Sequence, residues 1–188
     1  TIFTQHIRTD YPAYQPDPAA VFTALCAQRP ATLLLESAEI ASRANLKSML
    51  VLHSALRIRC TGHTVTAEAL TANGAALLPV LQVSLSAGTI SGNILTLHFT
   101  APAAHADEDT RLRAASVFDV LRTLMNLPSQ ADDRHALFCG GLFSYDLVAA
   151  FEALPAGERT HSRPGYCFFL AGTPLTTPPP VRRAGAPG

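Results

Sequence analysis

The chain has 188 residues, 48% of them apolar and 15% charged, which is long enough for one substantial buried core and too apolar for wholesale disorder. Lys+Arg and Asp+Glu balance at 14 each with no basic stripe, so charge gives no case for nucleic acid or an anionic membrane as partner. No apolar run approaches the ~18–20 residues that span a bilayer, and no signal peptide opens the chain, which begins at Thr1.

In chain order, "PDPAAVFTALCAQRP" reads as a helix. Asp17 is its N-cap, Pro18 its first residue, Val21, Leu25 and Cys26 its apolar stripe, and Pro30 its stop. "ATLLLES" follows as a strand, then a polar connection holding a short helical candidate, "NLKSML". "VLHSALRIRC" and "HTVTAEAL" are strands joined through Gly62 in a hairpin, with Val65, Ala67 and Ala69 alternating onto one face. "NGAALLPVLQ" suits a short helix after an Asn-Gly turn, weakened by Pro79.

"GNILTLHF" is a strand, and "DEDTRLRAASVFDVLRTLMNL" reads as the longest helix, with Val117, Leu121 and Leu124 on one face. The strand "ALFCGGLFS", the helical "YDLVAAFEAL" and the strand "YCFFLAG" complete the pattern. Helices and strands mix without a βαβ rhythm and a hairpin is present, so the expected class is α+β with a mixed, largely antiparallel sheet and packed helices. Alternation stops after "YCFFLA". Residues 172–188 hold Pro174, Pro178, Pro179, Pro180 and Pro187, so they are expected to form a disordered or polyproline-like tail outside the sheet.

Chemistry is sparse. The sequence has no GxGxxG, Walker-type loop, HExxH or GxSxG elbow. Cys26, Cys60, Cys139 and Cys167 lack CxxC spacing and sit among apolar residues, so they read as small core hydrophobes in a reducing cytoplasm. The acids Asp107, Glu108 and Asp109 suit a helix start better than a metal. His53 and His98 fall inside strands as packed or edge residues. Gly140 and Gly141 read as a close backbone approach, and Tyr145 and Asp146 as caps or docking groups for the next helix. Arg182–Arg183 after the proline run could mimic a ligand of a polyproline-binding domain, a weaker reading. "TLLLESAEI" is either an ordinary strand-to-loop junction or one wall of a pocket for a zwitterion.

"LLLESAEIASRANLKSMLVLHSALRI" resembles the early region of anthranilate synthase component I, and "GGLFSYDLVAAFEALP" resembles a second block of the same family. "DEDTRLRAASVFDVLRTLMNL" lies between them in the family's order, and the resemblance covers roughly residues 15–171. It implies that residues 1–171 are the N-terminal, tryptophan-sensing part of a larger two-layer sandwich enzyme. That enzyme converts chorismate, with ammonia released from glutamine by the amidotransferase component II, to anthranilate and pyruvate. The Leu-Leu-Glu-Ser segment forms part of the family's allosteric tryptophan site, which carries over to Leu35, Glu36, Ser37 and Lys47. The general base, the Mg2+ carboxylates and the chorismate-binding residues lie in a C-terminal half with no counterpart here. This chain alone is therefore expected to be inactive, and the tail past Gly172 is expected to be frameshifted or an artificial end. The alternatives are a fragment of aminodeoxychorismate synthase component I, which shares fold and substrate, and a stand-alone amino-acid-binding or interaction module.

Overall fold

The computed structural model describes residues 17–36, 48–100, 107–127, 138–145, 147 and 164–177. Its elements are α1 (Pro18–Cys26), β1 (Leu33–Glu36), β2 (Ser48–Thr61), β3 (Thr64–Ala69), α2 (Ala72–Leu85), β4 (Thr89–Ser91), β5 (Ile94–His98), α3 (Glu108–Arg113), α4 (Asp119–Met125), β6 (Cys139–Phe143) and β7 (Tyr166–Thr177). All pairings are antiparallel, in the order β4-β5-β3-β2-β7-β6, with β1 also on β2. This is the α+β class expected from the pattern. Because β7 runs along one side of β2 from Ser48 to Cys60, β1 and β3 share the other side, one after the other.

Period-2 patterning places the core. Leu56, Ile58 and Cys60 of β2 are fully buried, while Arg57, Arg59 and Thr61, which alternate with them, are not. Val65, Ala67 and Ala69 of β3 extend the buried face, and Leu77, Leu78 and Leu81 of α2 cover it. α4 adds Val120 and Leu124. Tyr166 anchors the far end: its hydroxyl donates to the Val117 carbonyl oxygen at 2.5 Å, the partner that a buried hydroxyl requires.

α2 seats backbone on backbone. A Cβ built on Gly74 would lie 1.9 Å from the Ala55 carbonyl oxygen, so only glycine permits this approach. The helix begins before the expected turn: Thr71 is the N-cap, and its hydroxyl accepts from the Gly74 N–H at 3.1 Å. It also runs through Pro79 to Leu85. Pro79 cannot donate to the carbonyl of Ala75, but both residues are exposed, so water can satisfy that oxygen while the leucine face stays buried.

Three expectations are corrected and one strand is added. The long helix is broken into α3 and α4, because Ala114 is extended and Ser116 starts a new turn. The Ser116 N–H donates to Asp119 Oδ2 at 2.8 Å and the Phe118 N–H to Ser116 Oγ at 3.3 Å, local bonds that compete with a continuous helix. "NLKSML" is not helical where described, since Ser48–Leu50 open β2. There Leu50, in register with Leu34 of β1 and residue 175 of β7, is fully buried, and a short apolar run has no period to separate strand from helix. β4, three residues long, gave no sequence signal and forms a hairpin with β5 through Gly92 (φ 59°).

The last correction concerns the tail. β7 continues past Ala171 to Thr177, with Pro174 opposite Val51. β6 pairs only with Tyr166–Leu170, so past that point β7 has one described strand neighbour, the edge position in which a strand tolerates proline. Residues 178–188 lie outside the described residues, as does "YDLVAAFEAL" apart from Tyr145 and Leu147.

Candidate functional site

β1 is held at its start and exposed at its end. Its four residues pair with Ser48–Val51, and exposure rises from Leu33 and Leu34 to Leu35 and Glu36. The loop before it docks on β2, where Ser54 Oγ donates to the Ala31 carbonyl oxygen at 2.6 Å and Arg29 Nη1 lies 3.2 Å from His53 Nε2. Ala31 takes φ 60°, a left-handed turn that aims the chain into the strand. A Cβ on Gly140 would lie 3.2 Å from Leu33 Cδ1, so the first leucine packs close over the glycine of β6.

Of the four candidate residues, Leu35 and Glu36 sit at this exposed strand end, Leu35 at 39% exposure. Ser37 and Lys47 lie outside the described residues. The described residues flanking that segment, Glu36 and Ser48, are register partners, so the chain leaves and re-enters the sheet at one place. An acid, two leucines and the sheet end therefore share one corner, bordered on the other side of β2 by Thr176 and Thr177 of β7.

Other sequence candidates prove structural. A Cβ on Gly141 would lie 2.2 Å from the Cys167 carbonyl oxygen, the close approach expected there. Burial pushes the Cys60 thiol up to about 11 and Cys139 up to about 12, far from a reactive thiolate at neutral pH. Asp107 caps α3 by accepting from the Thr110 N–H at 2.7 Å, a bond that holds its carboxyl below the usual range. His98 Nδ1 lies 3.1 Å from Thr64 Oγ1 across the β3–β5 pair. Tyr145 is 89% exposed, so it docks nothing among the described residues, and Asp146 lies outside them.

Sequence reasoning missed two features. Arg57 and Glu68 are register partners on β2 and β3, and Arg57 Nε donates to Glu68 Oε2 at 3.0 Å. A cleft of about 750 Å³ opens between the end of α2, the end of β5 and α4. Within it Asp119 accepts from Arg122 at 2.7 Å, so its main charges already neutralise each other. Both depend on contacts between distant segments. Among the described residues no three His, Cys, Asp or Glu side chains gather as a metal set, and no helix is long and apolar enough to cross a membrane.

These features define an α+β domain built on one antiparallel sheet, with Leu35 and Glu36 exposed where β1 ends. No family model matches the chain. It is 54% identical over 169 residues to anthranilate synthase component 1 of Serratia marcescens, covering 87% of this chain and 32% of that protein. The proteins of the same name from Salmonella typhimurium and Escherichia coli are 51% and 50% identical, over 86% of this chain and 32% of each relative. The chain therefore matches a fragment of anthranilate synthase component 1 and spans about a third of the length of the curated relatives it matches.

Proposed function

We propose that this chain is the N-terminal, tryptophan-sensing part of an anthranilate synthase component 1. The whole enzyme, in this reading, converts chorismate and ammonia, supplied from glutamine by an amidotransferase component, to anthranilate and pyruvate in the cytoplasm. Identity of 50–54% to three proteins of that name carries the assignment.

The corner at the end of β1 suits one side of an amino-acid pocket. A bound amino acid needs an acceptor for its ammonium, donors for its carboxylate and an apolar slot for its ring. Glu36 supplies an acceptor, Ser37 and Lys47 supply donors, and Leu35 supplies apolar surface. The exposure of Leu35 and Glu36 supports this role, since neither is spent on the core. Each charged hydrogen bond is worth ~1.5–3 kcal/mol, so a pocket completed only by the remainder of the enzyme binds weakly in this chain alone.

Magnesium and chorismate belong to the remainder of the enzyme, where the carboxylates that hold the metal would lie. The chain by itself is inactive in this account. Incubating it with chorismate, ammonia and magnesium should leave chorismate unconsumed. A chimera joining it, at the end of the matched stretch, to the rest of the Serratia marcescens protein should form anthranilate, followed by its fluorescence. Turnover by the chain alone, or a folded chimera that makes no anthranilate, would refute the assignment.

A further inference from the structure

Among the described residues, the buried polar side chains are Ser48 and Ser54, and both belong to β2. A buried hydroxyl costs free energy unless it is hydrogen-bonded, so each marks a place where a polar contact matters. The two bracket β1. Ser48 is the register partner of Glu36, where β1 ends. Ser54 donates to the Ala31 carbonyl oxygen, where the chain enters β1.

β2 is shaped for that second contact. Its ladder with β1 stops at Val51 and its ladder with β3 starts at Leu56, so Leu52–Ala55 have no strand partner on that side among the described residues. Against β7 the register shifts three times between Val51 and Leu56. Ser54, Ala55 and Leu56 are buried in succession, so the alternation of a regular strand is broken here. Irregularities of this kind re-aim a side chain, and this one turns Ser54 inward to Ala31. Ala31 has φ 60°, a conformation that a residue other than glycine keeps only when its surroundings hold it. The other side-chain bonds of this turn, Thr32 Oγ1 to the Arg29 carbonyl oxygen and Arg29 to His53, are exposed, whereas the Ser54 bond is sheltered.

We propose that Ser54 is a positioning residue for the amino-acid site: by fixing Ala31 it sets where β1 lies on β2, and so where Leu35 and Glu36 stand at the corner of the sheet. β1 has four residues and one strand neighbour among the described residues, so its placement depends on how the chain enters it. Glu36 follows Ala31 by about 16 Å of extended chain, which magnifies a small change of angle at the turn. The inference rests on the reading of that corner as one side of a tryptophan pocket.

The test is inhibition of the Serratia marcescens chimera by L-tryptophan, read as the half-inhibiting concentration at fixed chorismate. Ser54→Ala should raise that concentration about fivefold, as expected for one lost hydrogen bond, and leave turnover without tryptophan unchanged. Ser54→Thr, which keeps the hydroxyl, should stay within about twofold of the parent. Gly92→Ala strains the β4–β5 turn at the far edge of the sheet and should leave inhibition unchanged, which controls for general loss of stability. A Ser54→Ala chimera inhibited at the parent's concentration would overturn the positioning role and leave the reading of the corner standing. An equal rise in Gly92→Ala would also overturn it, by tracing the effect to stability alone. So would a Ser54→Thr chimera that matches Ser54→Ala while unfolding at the parent's urea midpoint. A parent chimera that makes anthranilate and ignores tryptophan would instead sink the reading of the corner, and this inference with it.

Discussion

Gly74→Ala should destabilise this protein although it replaces glycine inside a helix. On propensity alone, the change would gain ~0.8–1.0 kcal/mol. Here the new Cβ would lie 1.9 Å from the Ala55 carbonyl oxygen and 2.8 Å from its carbon, both backbone atoms. An ordinary contact needs more than 3 Å, so α2 must lift by over an ångström or β2 must bend. Lifting α2 unseats Leu77, Leu78 and Leu81 and strains the 2.9 Å bond from the Leu70 N–H to that same oxygen. Overpacking of this kind costs about 1–3 kcal/mol, and weakening that bond adds about 1 kcal/mol. Set against the propensity gain, the net loss is about 2 kcal/mol, a large part of a marginal stability of ~5–15 kcal/mol. Urea unfolding followed by far-UV circular dichroism reads it. Gly92→Ala is the control: its φ of 59° carries strain of ~1–2 kcal/mol, but nothing lies within 4 Å of the new atom. The two variants then separate by mechanism, since Gly74→Asn, larger still, should be worse than Gly74→Ala, whereas Gly92→Asn should lose little. A Gly74→Ala protein as stable as the parent would refute the backbone-on-backbone seating of α2.

Further tests read other contacts. Tyr166→Phe deletes the hydroxyl bound to Val117 and should cost about 1–2 kcal/mol in urea unfolding, leaving the expressed fold intact. Ser54→Ala removes the 2.6 Å tether to Ala31 and should speed amide exchange in β1 several-fold while sparing β3. Stability should fall at alkaline pH. Cys60 and Cys139 titrate near 11 and 12 when folded against ~8.5 unfolded, so the unfolded chain releases protons first, and stability present below pH ~8.5 is lost as pH climbs through 11 and 12. Tyr166, also raised by burial, adds to the loss above pH ~10. Urea midpoints across pH 8–11 check the slope, which the Cys60→Ala, Cys139→Ala double variant should flatten.

Period and capping were legible in the sequence wherever they repeat. The β2–β3 hairpin with Gly62 at φ 58°, the Val65–Ala67–Ala69 face, and Asp17 capping α1 through the Ala20 N–H all stand as read. So do the buried Val117 and Leu124, although the helix carrying them is broken. That break was hidden because Ser116 and Asp119 form a local bonded turn inside a stretch whose apolar spacing suits a helix. The extension of β7 to Thr177 was hidden for another reason: proline's meaning in a strand depends on which side has a neighbour, and one strand's sequence does not carry that. At the candidate corner, Leu35 and Glu36 fall where the strand reading put them. Their meeting with the start of β2 follows from register, which no local pattern specifies.

The proposed supply of tryptophan-binding residues by this chain is tested through inhibition of the joined enzyme. The most direct measurement is the tryptophan concentration that half-inhibits anthranilate formation by the chimera, with and without Lys47→Ala. The parent chimera should be inhibited, and the variant should need at least a tenfold higher tryptophan concentration, from loss of ~1.5–3 kcal/mol of charged hydrogen bonding, with turnover at saturating chorismate persisting. Inhibition of both proteins at the same concentration, or loss of turnover with inhibition intact, would contradict it.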